Sequence, residues 1–331
     1  DEGWNRITLK KGCFTLTADD SYLEVASGGS APASNPVVVS GAGTKLTVSG
    51  GSFRYAKTEL THRVDGLLDL QVPFGPGSDA ADVAAVDIGF AGTGVVQFAS
   101  VRSSSLGSSR VKASAGVTLS PAGDWATVTA DGADAYLGIS VPDWGKAAFA
   151  PRGDCTYGPA SGVTPTTDAA ARAFACGDYS ELTVDSDHAV AFADPLVFGK
   201  HAKLIKKGVG RLAISAADVL AETVELEGGT LALSAPETVG SFAAAEGATL
   251  ELAAGVSVAV TDEDLSLDGL NVALTGDAPQ AWTTLFTVAP LRTITGMPSL
   301  PKDVKMKLVS NSEGSTSLAA KAVTGSLLLV R

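Results

Sequence analysis

A short repeat in the C-terminal third constrains this chain more than any other feature. Leu212, Leu231, Leu250 and Leu270 follow one another at a near-constant interval, and each has an aliphatic partner two positions on: Ile214, Leu233, Leu252 and Val272. A small residue opens each copy, namely Gly210, Gly229, Ala248 and Gly269, and second strand-like stretches lie around Val224, Val239 and Val256. Apolar residues two apart on a fixed short period describe a β-solenoid coil, whose equivalent positions stack about 4.8 Å apart into ladders. Leu231 is therefore expected to face inward between Leu212 and Leu250, and Glu251 outward beside Ala232 and Ala213. The glycine before a strand serves the bend, where a side chain would crowd the turn.

The rest of the chain is consistent with an all-β protein. Aromatics make up only 6% and Met only 2 residues, against Gly 37, so the apolar content is mostly Ala, Val and Leu. Such side chains suit thin, regular cores rather than one deep core. One segment alone, Thr167 to Phe174, has an N-cap-like start and a run of helix formers. We divide the chain into residues 1–56, 57–200 and 201–331. The first block resembles a repeat start, since Leu9-Lys10-Lys11-Gly12 echoes Ile205-Lys206-Lys207-Gly208. The last is a β-solenoid or β-helix-like stack with a terminal strand. The middle keeps strand text but loses the period. It reads either as an irregular continuation or, preferred here, as a sandwich-like block with Trp125, Tyr136 and Trp144 in a thicker core.

Acidic residues exceed basic ones by 36 to 24, a net charge of −12, which disfavours nucleic acid and anionic membrane surfaces, since both need a basic footprint. The chain opens on Asp1, as expected of a processed product, and no apolar run approaches the ~18 residues of a membrane span. Cys155 and Cys176 flank a loop-like segment within 143–180, and a disulfide between them is expected in an oxidising compartment; Cys13 is left over.

Residues 203–253 resemble the autotransporter-associated β-strand repeat of bacterial surface passengers. Lys206, Gly208, Gly210 and Leu212 match its opening, and Thr223, Gly228, Gly229, Leu231, Gly247, Ala248 and Leu250 match the rest. Two departures stand out: Ala217-Asp218-Val219-Leu220 replaces the family's usual link, and no membrane barrel follows before Arg331. The resemblance implies a secreted β-helix at a bacterial surface, and no catalytic residue.

No catalytic constellation stands out. The histidines His62, His188 and His201 have no ligand spacing, and Asp185–His188 and Thr261–Asp264 read as solvated turns that incidental calcium would stabilise. Arg152-Gly153-Asp154 reads as chance. The expected function is a non-catalytic extracellular structural protein without a cofactor. Its expected partner is itself, through end-to-end strand addition at Leu327, Leu328, Leu329 and Val330. The alternatives are a fragment of a longer passenger, or a glycan-binding or glycan-cleaving β-helix. Clustered exposed aromatics would favour the glycan reading, with Trp144, Phe149, Tyr157, Phe174 and Tyr179 as candidates.

Overall fold

A computed structural model of the chain describes residues 7–9, 13–17, 22–26, 37–49, 52–56, 60–76, 88–101, 110–122, 125, 127–128, 134–135, 138–158, 169–215, 220–276, 279–312 and 314–322. The fold is all-β with stacked parallel sheets in a solenoid-like arrangement, and the chain divides into two compact units, Asp1–Ala202 and Lys203–Arg331.

In the first unit each coil gives one strand to each of two parallel sheets. Ile88–Ala91 and Arg110–Ser114 are neighbours in one, Val95–Val101 and Val117–Pro121 in the other. Parallel pairing extends through the middle of the chain, so the sandwich-like reading is corrected: the described residues of 57–200 continue the stack. The period disappears because coil length changes at every step. Lys45 pairs with Leu67, Leu67 with Val95, Val95 with Thr118, and Val117 with Ala147, and no two of these intervals are equal. The bends between the two strands of a coil stay short, as at 92–94 and 115–116, while the chain distance from one coil's second strand to the next coil's first varies, from that between Val101 and Arg110 to that between Phe149 and Phe174. Insertions at the returns hide the repeat without disturbing the ladder.

The coils with the most residues hold the large side chains. Trp125, Phe98, Phe149, Tyr157, Phe174 and Phe192 are all buried; neighbouring rings in this group lie 5.2–6.3 Å apart between centroids. The Tyr157 hydroxyl accepts from Ile139 N at 3.0 Å and donates to Arg172 O at 2.8 Å, so the ring is buried without stranding its polar end. Trp125 thus fills the core as expected, Tyr136 lies outside the described residues, and Trp144 is 72% exposed instead. The helix signal gives only one turn, Ala169–Arg172. Arg110 fastens this turn by donating to the carbonyls of Ala170 and Ala173.

In the second unit Arg211–Ile214, Thr230–Leu233, Thr249–Ala253 and Asn271–Thr275 pair in parallel. Leu212, Leu231 and Leu250 form the expected inward ladder, all fully buried. The fourth rung differs. Leu250 pairs with Val272 and Leu252 with Leu274, so this coil is longer than the ones before it, and Leu270 is buried just ahead of the strand. Gly229 is required at its bend: its φ is +65°, and a Cβ there would collide with the carbonyl oxygens of Gly208 and Gly210. Lys206, from the repeat's opening, is buried and its ammonium donates to the carbonyls of Lys207 and Gly208, which bonds its charge to the backbone of the bend.

The parallel sheet Glu237–Val239, Val258–Val260 and Thr283–Val288 ends on an antiparallel hairpin, Val304–Ser310 with Thr316–Ala322. Thr316–Ala322 is paired on both sides, and the outer strand carries exposed Lys305 and Lys307. Charged residues on an edge strand discourage further pairing. The expected assembly residues Leu327, Leu328, Leu329 and Val330 lie outside the described residues, as do Lys10, Lys11, Gly12 and Cys13's side chain.

His62 is buried against Phe90, and its Nδ1 accepts from Val37 N at 2.9 Å. Burial lowers its pKa from 6.5 to about 3. The unfolded chain therefore binds more protons than the folded one between those values, and stability is lost as pH falls through that window. We predict a loss of about 2 kcal/mol between pH 7 and pH 5 from this group. His62→Gln, which keeps an acceptor for Val37 but does not titrate, should flatten the slope in urea denaturation. An unchanged slope would assign the acid sensitivity elsewhere.

Candidate functional site

Three successive bends of the first unit share one design. Pro142-Asp143-Trp144-Gly145, Gly177-Asp178-Tyr179-Ser180 and Gly199-Lys200-His201-Ala202 each place a ring at the third position. Trp144, Tyr179 and His201 have φ of 59°, 57° and 56°, the left-handed region that glycine or asparagine normally occupies. The Trp144 and Tyr179 rings stack at 4.1 Å and 4°, close to the rung spacing itself, and Tyr179 and His201 follow at 4.8 Å and 32°. Trp144 is 72% and Tyr179 46% exposed, and His201 is also exposed.

The bends are held by their own polar atoms. Trp144 N donates to Asp178 O and Tyr179 N to Lys200 O, both at 2.8 Å. One position earlier, Asp143 Oδ1 accepts from Asp178 N, and Asp178 Oδ1 accepts from Lys200 N, again at 2.8 Å. Each carboxylate caps the bend of the following coil, and the Lys146–Glu181 ion pair at 2.9 Å ties together two residues already in register.

This carboxylate cap recurs where the sequence suggested ion binding or recognition. Asp264 Oδ1 accepts from Thr293 N at 2.7 Å, within the acidic run Thr261–Asp264. In Asp185–His188 the turn is organised by Ser186, whose hydroxyl accepts from His188 N and donates to Pro151 O. Asp154 of the Arg-Gly-Asp tripeptide accepts from Ala189 N, while Arg152 donates to Phe98 O. Among the described residues, no group of three or more His, Cys, Asp or Glu side chains is placed to hold a metal ion. No described helix is long and apolar enough to cross a membrane.

Glu251 points outward beside Ala232, as the register predicts, but it has a partner two coils away. Arg211 reaches it at 2.7 Å, and the Ala232 side chain between them is buried. That guanidinium holds the Glu251 carboxyl below its ordinary range. Both groups remain partly exposed, so the pair adds little to stability.

The expected disulfide is not formed. Cys155 and Cys176 are both buried, in Cys155–Tyr157 and Phe174–Cys176, strands of different sheets that are each fixed by their own ladder. Burial also pushes the Cys176 thiol well above its ordinary range, which leaves it unreactive. Of the aromatic candidates, Phe149, Tyr157 and Phe174 belong to the core, while Trp144 and Tyr179 come together on the surface. The sequence reading missed His201 as the third ring. Each ring stands three positions ahead of a buried aliphatic, Ala147, Leu182 or Leu204, and that spacing marks the shared position.

Comparison with known proteins finds no matching family model, no matching curated protein and no matching solved structure.

Asp178 is the central cap of the three bends. Asp178→Ala should lower unfolding stability by about 1 kcal/mol, and Asp178→Asn, which keeps an acceptor, by less. Urea melts of the three proteins check this. Equal stability throughout would show that the backbone hydrogen bonds suffice without the cap.

Proposed function

We propose that the chain is a non-catalytic structural β-solenoid of an extracellular or bacterial surface. The observation that carries this reading is how the corner carboxylates are used: Asp143, Asp154, Asp178 and Asp264 each accept a backbone N–H of the next coil. Groups that could otherwise converge on a substrate are engaged in holding coil to coil. The surface location rests on the likeness of residues 203–253 to the passenger repeat. Self-assembly through Leu327 to Val330 is the less favoured form of this reading. The strand leading to those residues is already paired on both sides, and the exposed edge beyond it carries lysines.

Antibodies raised against the folded chain should label intact cells of the source organism, and protease added outside should remove the signal. Recovery of the protein only from the cytosolic fraction would overturn the surface assignment.

A further inference from the structure

The aromatic column at the bends is more than the stack requires. Earlier bends of the same unit turn on Gly92 or on Ala115 followed by Gly116, so a large ring is not needed to make the corner. A non-glycine residue in the left-handed region costs about 1–2 kcal/mol, and the cost recurs in four successive bends, at Ala115 as well as at the three rings, so the bend geometry demands it and the choice of a ring is separate. Ring stacking offsets part of this for Tyr179, which lies between Trp144 and His201. For Trp144 it covers one face only. The ring is 72% exposed, and the preceding bend, joined to this one by the Gly116 N to Lys146 O hydrogen bond, carries only Ala115 and Gly116. A strained backbone thus holds a flat indole face open to solvent at the end of a rigid column.

We propose that this face of Trp144 is a binding subsite for a neutral hexose polysaccharide. The C–H face of a pyranose ring is flat and apolar and matches an indole in extent, while its rim of hydroxyls both donates and accepts. The bends supply a matching rim. Asp143 caps the next bend through Oδ1, and its carboxylate and the Lys146 ammonium, both exposed on the ring's own coil, give an acceptor and a donor whose charges cancel. That balance offers no field to select a strongly charged ligand, despite the chain's overall charge of −12. The column also resists distortion. Asp143 and Asp178 fix successive bends to one another, so the indole plane is set before any ligand arrives and little order is lost on binding. One stacked ring makes a weak site, suited to a long polymer that offers many equivalent sugars.

Affinity electrophoresis of the full chain tests this in gels containing laminarin, yeast mannan or hydroxyethyl cellulose. At least one polymer should retard the protein. Trp144→Ala should weaken retardation at least tenfold with only a small drop in unfolding temperature, from the lost stacking on Tyr179. Trp282→Ala, at a half-exposed tryptophan covered by the Lys307 ammonium, should migrate like the parent. Absence of retardation in all three polymers, or equal retardation of Trp144→Ala, would overturn the proposal. Retardation by poly-L-proline alone would overturn it in favour of a peptide ligand.

Discussion

Everything in this molecule depends on the parallel backbone ladder between successive coils. A strand with a neighbour above and below has its N–H and C=O groups satisfied, and the same register places like side chains over like. Leu212 over Leu231 over Leu250 is the simplest outcome: three apolar side chains of one shape, each removed from water by the next. The stack needs no deep core, which is why a chain with 6% aromatics can fold this way. Where coils hold more residues, as around Trp125, Tyr157 and Phe174, large rings fill the core and the ladder outside continues unchanged.

How much of this was legible in the sequence depended on coil length. The equal coils from Leu212 to Leu231 and from Leu231 to Leu250 exposed their register directly, and Leu231 and Glu251 point as their spacing requires. The longer coil that follows shifted that register by two, so Val272 rather than Leu270 completes the ladder. In the first unit the inserted returns erased the period, because a return loop is free to change length while the rung it leads to is not. Long apolar strands with a tryptophan nearby then resembled a sandwich. The cysteines misled for a related reason. A Gly- and Pro-rich segment suggested a loop that needed a covalent tie, but both cysteines sit in strands whose ladders already provide one.

The same geometry governs the polar surface. In a stack, a side chain at a bend has a backbone N–H of the next coil within reach, and short acidic residues take it repeatedly. Of the acidic runs that looked like ion sites, Thr261–Asp264 supplies a coil-to-coil cap through Asp264, and Asp185–His188 is organised by the Ser186 hydroxyl. Rings at equivalent bends are brought to the rung spacing whether or not the sequence brings them close, which is how Trp144, Tyr179 and His201, far apart along the chain, form one column. The unequal intervals between the rings give no periodic signal, and what the three share is their distance ahead of the buried aliphatic of the following strand.

The in-register parallel ladder is tested most directly by cysteine pairs on the outer face of the second unit. Thr230 and Thr249 are ladder partners, whereas Thr230 and Glu251 are two positions out of register. Adjacent rungs about 4.8 Å apart lie within disulfide reach, and the diagonal of roughly 8 Å does not. Mild oxidation of Thr230→Cys/Thr249→Cys should therefore close a bond, read as loss of two alkylatable thiols by intact mass, and Thr230→Cys/Glu251→Cys should stay reduced. Closure of the second pair with the first left open would contradict the register on which the whole account stands.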